Sequence, residues 1–173
     1  MPARNSHIIL DRNMGARENT TGLSFPIRCG DDASSVLALY QRQYYPYSGS
    51  FVRTLERQIH LLQYRSPQNP LLLAIDPAGN ARGYLNLARG EEHPQALEIA
   101  ADDWSAAAAL LQHHARLFSG PDAPQALRYR LPATAPVLQW MIDNLEVPDT
   151  TMWQHPADEW SVRSQSFHHR YAG

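Results

Sequence analysis

The sequence predicts a mixed α/β (α+β) domain: a mixed sheet flanked by helices, with a strand–helix–strand unit at its centre. Three observations carry this. Apolar runs of strand length are bounded by turn residues, most clearly over 71–88. Longer stretches place apolar residues at helical spacing before and after that region. The resulting order is strand, helix, helix, strand, strand, strand, helix, strand, helix, strand, strand, a meander followed by a strand–helix–strand crossover, which is the pattern of a layered α/β fold.

Residues 1–24 read as a polar arm, expected to be extended or poorly ordered, with Ile8-Ile9-Leu10 as its one candidate short strand. Residues 25–173 read as a single domain without repeats or an internal linker. Phe25-Pro-Ile-Arg-Cys29 is a strand ended by Gly30. Asp31 or Asp32 is placed to cap a helix running to about Tyr45, with Val36, Leu39, Tyr40 and Gln43 on one side and Pro46 as its stop. Ser48 or Ser50 is expected to open a second helix that carries Phe51, Leu55, Ile59 and Leu62 on one face. Pro67 and Pro70 bracket its exit.

The hairpin follows. Leu71-Leu-Leu-Ala-Ile75 is a buried strand, Asp76-Pro-Ala-Gly-Asn80 has strong turn chemistry, and 82–88 returns as the partner. A polar loop with Glu91 and Glu92 leads to a third strand of this meander at 96–100. Helix is expected over 104–118, strand over 126–131, and helix over 135–145 with Pro136 in its first turn. Residues 150–153 and 159–171 are expected as closing strands.

Composition removes several function classes. A chain of 173 residues with a 43% hydrophobic share can bury one ordinary core. A formal net charge of −2 gives no overall attraction to nucleic acid or an anionic membrane. The basic residues are all arginine, so no lysine is present to act as a Schiff base or general base. Cys29 is the sole cysteine, which excludes an intrachain disulfide and a cysteine-rich zinc site and suits a cytoplasmic protein. The longest apolar run, 106–111, is far short of the roughly 20 residues needed to span a bilayer, and no apolar signal-like segment follows Met1.

The junction between the strand at 96–100 and the helix after it is the most telling place. It reads Glu98-Ile-Ala-Ala-Asp-Asp-Trp-Ser-Ala-Ala-Ala-Ala-Leu-Leu111. A helix N-terminus that follows a strand is where many α/β proteins hold a phosphate, because its N–H groups are unpaired and its dipole is positive. Here Asp102 and Asp103 fill that place and no glycine is present. Carboxylates so placed cap the helix themselves and repel a phosphate.

Taken together, the hairpin of 71–85, the stretch Leu97-Glu-Ile-Ala-Ala-Asp-Asp-Trp104 with the Ala-Leu helix behind it, Leu131-Pro132 and residues 136–147 resemble the GNAT (GCN5-related N-acetyltransferase) superfamily over about 25–171. The likeness is greatest to the cofactor-less middle domain of tandem-GNAT enzymes of the enhanced-intracellular-survival type. That resemblance implies a GNAT-like sheet, and as a partner a catalytic GNAT domain or a second copy of the chain. It also marks a departure. Active members hold the coenzyme A pyrophosphate on an Arg/Gln-x-x-Gly-x-Gly/Ala turn, whereas this chain has Asp102 and Asp103 there, so no acetyl-CoA site is expected.

Other constellations have bland explanations. Asp102 and Asp103 read as helix caps before they read as an acid–base pair or a magnesium site. Trp104 is either a core-edge aromatic or a ligand-lining one. Glu91 and Glu92 are a solvated loop tip or, in a two-domain parent, an attractor of a cationic amine. Arg53, expected at the opening of the second helix, is an ordinary exposed arginine or, by the resemblance, lies near an interdomain surface. His113 and His114 point about 100° apart on a helix, and His168 and His169 face opposite ways on a strand, so neither pair chelates an ion and no metal is expected. Arg128, Tyr129 and Arg130, with Arg163, His168, His169, Arg170 and Tyr171, are basic-aromatic stretches that strand alternation divides between two faces.

Three functions stay open. The first is a non-catalytic GNAT-like domain that walls a pocket, packs on a catalytic domain or oligomerises. The second is an acetyl-CoA-dependent N-acetyltransferase with a divergent cofactor loop, using Tyr84 or Tyr129 as acid and a glutamate as base. The third is a small-ligand or RNA interaction module.

Overall fold

The computed structural model describes residues 5–11, 22–24, 27–28, 32–46, 50–64, 69–88, 94–118, 121–132, 135–145 and 153–154. The elements in chain order are β1 (Asn5–Asp11), β2 (Ile27–Arg28), α1 (Ala33–Tyr44), α2 (Leu55–Gln63), β3 (Leu71–Ile75), β4 (Ala81–Ala88), β5 (Gln95–Ala101), α3 (Trp104–Leu117), β6 (Ala126–Pro132), α4 (Pro136–Asn144) and β7 (Trp153–Gln154). The described strands form one sheet in the order β2-β3-β4-β5-β6-β1-β7. All neighbours are antiparallel except β5 and β6, which the α3 crossover joins as a parallel pair.

From β2 to α4 the expected order of elements is present, a mixed sheet flanked by helices around the β5–α3–β6 unit, with β7 at the end of the first expected closing strand. The hairpin forms where its turn chemistry requires. The Asp76 carboxylate accepts the N–H groups of Ala78 and Asn80, and Gly79 takes a φ of +87°, which a side chain would oppose.

Two expectations change. The candidate strand at Ile8–Leu10 is longer, Asn5–Asp11, and lies inside the sheet, paired with β6 from Asn5↔Pro132 to Asp11↔Ala126. The second helix is not opened by Ser48 or Ser50. Thr54 is its N-cap, with its side chain accepting the Arg57 N–H at 3.2 Å, because the Ser50 hydroxyl is already committed to the Tyr44 carbonyl at the end of α1. Phe51 therefore precedes α2 rather than riding on it, and is 73% exposed. The strand expected at 159–171 lies outside the described residues, as does Cys29.

Strand alternation sends apolar residues to both faces of the sheet. One face carries Leu71, Leu73, Tyr84 and Ala100 against Val36, Leu39, Tyr40 and Tyr44 of α1 and Leu62 of α2. The other carries Leu72, Leu85, Ile99, Leu127, Tyr129 and Leu131 against α3 and α4. The α3 packing is close enough that Gly83 has no room for a side chain. A Cβ there would stand 2.8 Å from the Ala100 carbonyl oxygen and 2.9 Å from Leu110 Cδ1.

Candidate functional site

Two features of β5 make a site. The first is its parting from β6. The parallel register holds at Gln95↔Arg128 and Ala96↔Tyr129, while β5 stays paired with β4 as far as Gly83↔Ala101. The second is a bulge. Asn86 faces Glu98 and Leu87 faces Ala96, so Leu97 is the extra residue, and the bulge re-aims Glu98 just where the strands separate.

The C-terminal end of β5 runs into the junction singled out above. Asp103 is the N-cap of α3, with extended backbone, and its Oδ1 accepts the Ala106 N–H at 2.9 Å. Its carbonyl accepts the Ala107 N–H at 3.1 Å. Asp102 does not cap. Its Oδ1 accepts from Arg42 at 2.7 Å and its Oδ2 from Arg82 at 3.3 Å, while Arg82 also donates to Asp103 Oδ2 at 2.8 Å. The positive end of α3 thus meets two carboxylates, and two arginines from α1 and β4 balance them. These ion pairs are half-exposed, so their role is charge balance rather than stability.

The other centre is Glu98, on the α1/α2 side of the sheet. Arg53 makes a two-pronged ion pair with its carboxylate, Nη1 donating to Oε2 at 3.1 Å and Nη2 donating to Oε1. Side-chain exposures of 14% and 15% make this a largely buried pair. The Tyr84 hydroxyl donates to Glu98 Oε2 at 3.3 Å, and the Asn86 amide approaches the same oxygen at 3.5 Å. The Arg53 guanidinium lies over the Tyr40 ring, 3.8 Å from its centroid, and Tyr40 in turn stacks on Tyr44 at 4.9 Å. The Tyr44 hydroxyl locks the whole group to β5 by donating to the Ile99 carbonyl at 3.1 Å and accepting the Ile99 N–H at 3.2 Å.

The electrostatics follow from burial and from Glu98. Burial, and then the Glu98 charge, push the Tyr84 hydroxyl well above its ordinary pKa, so it keeps its proton and acts as a donor. Tyr40 is raised chiefly by burial, partly offset by Arg53. Burial opposes the charge on Arg53, but the hydrogen bonds and charge of Glu98 outweigh it and raise its pKa. Arg130 of β6 is also within electrostatic reach of Glu98, and burial lowers its pKa.

The residues singled out in the sequence are distributed as follows. Asp102 and Asp103 are together at the junction. Trp104 is half-buried in the first turn of α3 and packs against the α3/α4-side core. Arg53 is not on a helix; it belongs to the extended segment before Thr54 and closes on Glu98. Glu91 and Glu92 lie outside the described residues. Tyr129 faces the opposite side of the sheet from Tyr84, with its hydroxyl 2.8 Å from His114 Nδ1, so the two tyrosines do not share a site. Arg128 and Arg130 alternate with buried Leu127, Tyr129 and Leu131, as expected of a strand. Among the described residues no group of three metal-ligating side chains converges, and no helix is long and apolar enough to cross a membrane. Glu98 itself had a readable signal: a lone carboxylate in the otherwise apolar run 96–101.

No family model and no curated protein matches the sequence. Solved structures do match. A GCN5-related N-acetyltransferase from Kribbella flavida aligns with a TM-score of 0.64 at 16% identity, over 89% of this chain and 36% of its own. A GCN5-related N-acetyltransferase from Anabaena variabilis aligns with a TM-score of 0.59 at 10% identity, over 90% and 38%. Eis1 from Mycobacterium abscessus aligns with a TM-score of 0.52 at 15% identity, over 90% and 39%. The chain thus spans well under half the length of these three proteins. With a meander, a β5–α3–β6 crossover and a parting of the two parallel strands, the chain has the fold of the GCN5-related N-acetyltransferases.

Proposed function

We propose that the chain is a non-catalytic domain of this fold, related to the cofactor-less middle domain of tandem-GNAT enzymes, that packs against a catalytic GNAT domain or a second copy and walls a substrate pocket. The observation that carries this reading is the filled N-terminus of α3. An incoming pyrophosphate would meet Asp102 and Asp103 instead of free N–H groups, and the Ala106 N–H is already taken by Asp103. The residues at this turn do not fit the diphosphate of acetyl-CoA. Exposed apolar side chains on the α1–α2 side, Phe51 at 73%, Val52 at 84% and Tyr64 at 76%, supply surface for packing. Isothermal calorimetry with acetyl-CoA tests the reading, and the expected result is no heat of binding at micromolar concentration. Micromolar affinity overturns it.

A second reading, an acetyl-CoA-dependent N-acetyltransferase with a divergent cofactor loop, draws on one observation: the protonated Tyr84 hydroxyl lies against Glu98 beside the parting of β5 and β6. Its requirement is thiol release from acetyl-CoA with some amine, lost in Tyr84→Phe. A panel of amines without turnover above background ends it.

A further inference from the structure

The Arg53–Glu98 contact has the parts of a ligand site in which the ligand is a side chain of the same chain. A guanidinium is recognised by a carboxylate that meets its planar fork with two oxygens and by an aromatic face beneath its plane. Both are present. Glu98 takes two nitrogens of Arg53, and the Tyr40 ring lies 3.8 Å below its central carbon. Neither recognition element belongs to the segment that carries Arg53. Glu98 is on β5, held by Tyr84 of β4, and Tyr40 is on α1, stacked on Tyr44 and through it tied to Ile99. The receiving half of the site is therefore built into sheet and helix.

The segment 50–54 that delivers Arg53 is attached differently. Its ties are polar. Tyr40 donates to the Phe51 carbonyl at 2.9 Å, Tyr45 donates to the Arg53 carbonyl at 2.9 Å and accepts the Arg53 N–H at 3.0 Å, and Ser50 donates to the Tyr44 carbonyl. Its apolar side chains give it little anchorage, since Phe51 and Val52 point largely into solvent. Releasing it uncovers little core, whereas dismantling the receiving half would break the sheet.

We propose that the Glu98 pocket is a guanidinium-binding site, closed on itself by Arg53 and able to take an external guanidinium, from a guanidino compound or an arginine side chain of another chain, when the 50–54 strap lifts. The inference is independent of whether the chain binds acetyl-CoA. An ammonium ion carries the same charge but no planar fork and gains less from the two oxygens and the ring. Arg130 of β6 is a second cation within electrostatic reach of Glu98 and stays in place when Arg53 is removed.

The test uses the whole chain with Arg53→Ala and ethylguanidinium as the probe. Calorimetry and thermal melts should show saturable binding at least tenfold tighter to Arg53→Ala than to the unsubstituted chain, where Arg53 competes at high effective concentration. The Arg53→Ala/Glu98→Gln chain should show none, and ethylammonium should bind at least tenfold more weakly. A blocked Gly-Arg-Gly peptide separates the two sources: tighter binding than ethylguanidinium assigns the site to an arginine side chain, equal or weaker binding to a small guanidino compound. Should Arg53→Ala fail to fold, Tyr45→Phe loosens the strap and leaves both charges in place; it should bind ethylguanidinium severalfold more tightly than the unsubstituted chain. Absence of saturable binding in the folded variants, equal binding of ethylammonium, or binding that survives Glu98→Gln overturns the proposal.

Discussion

Asp103 and Ala106 are joined by a 2.9 Å hydrogen bond from the Ala106 N–H to the Asp103 carboxylate, and that bond closes the α3 N-terminus from within the chain. The carboxylate of Asp102, its neighbour, accepts from Arg42 and Arg82 and, among the described residues, from no N–H of α3. The two carboxylates should therefore respond unequally. Asp103→Ala should cost about 1 kcal/mol of stability, as loss of a cap usually does. Asp102→Ala removes half-exposed ion pairs and should cost no more than about 0.5 kcal/mol. Urea unfolding of the two variants checks this, and equal costs would remove the cap from the account.

Gly83 sits between the backbone of β5 and the Leu110 side chain of α3. A methyl group there would press on the Ala100 carbonyl, which is backbone and cannot step aside, and on Leu110, which is fully buried. Gly83→Ala should destabilise by about 1–3 kcal/mol through overpacking, despite replacing glycine in a strand, where alanine is otherwise the better residue. Denaturant unfolding gives the number. A stabilised variant would mean that α3 shifts freely on the sheet.

The Arg53–Glu98 pair is buried enough for its halves to depend on each other. Removing either partner, in Arg53→Ala or Glu98→Ala, should cost about 3 kcal/mol, because the other charge is left largely out of water. Replacing both, Arg53→Met with Glu98→Leu, should cost much less than the sum. A double-mutant cycle reads the difference as coupling. Additive costs would show that the two charges are solvated independently.

What could be read in the sequence and what could not divides by range. The hairpin was legible because Asp76, Gly79 and Asn80 fix the turn among themselves. The α3 start was legible because a cap needs only its own first turn. The opening of α2 is not legible because Ser50 and Thr54 are alike as caps by composition, and a contact with the end of α1, the Tyr44 carbonyl drawing the Ser50 hydroxyl away, separates them. The site was hidden for the same reason. Arg53 and Glu98 are 45 residues apart, and they meet only because β5 lies under α1 and a bulge at Leu97 turns Glu98 toward it. β1 is the extreme case: its partners β6 and β7 lie more than a hundred residues further along the chain, and nothing local in Asn5–Asp11 announces the pairing.

The buried pair His114–Tyr129 gives the fold a pH dependence of definite sign. His114 lies against Phe118 and Tyr129 in the α3-side core, and burial, with a smaller push from the neighbouring His113, lowers its pKa from the ordinary 6.5 to about 4. The neutral ring accepts the Tyr129 hydroxyl proton at Nδ1 when its own proton is on Nε2. As pH falls through 6.5 the unfolded chain gains a proton at this position that the folded chain does not take up until about 4. Stability contributed by the neutral ring is thus complete above 6.5, declines between 6.5 and 4, and falls no further from this source below 4. The loss at pH 5 should be about 2 kcal/mol. Urea unfolding at pH 7 and pH 5 for the unsubstituted chain and for His114→Gln, which offers Tyr129 a partner that does not titrate, isolates this group from the remaining histidines. The unsubstituted chain should lose about 2 kcal/mol more than the variant. Parallel losses in the two would place the acid sensitivity elsewhere in the chain.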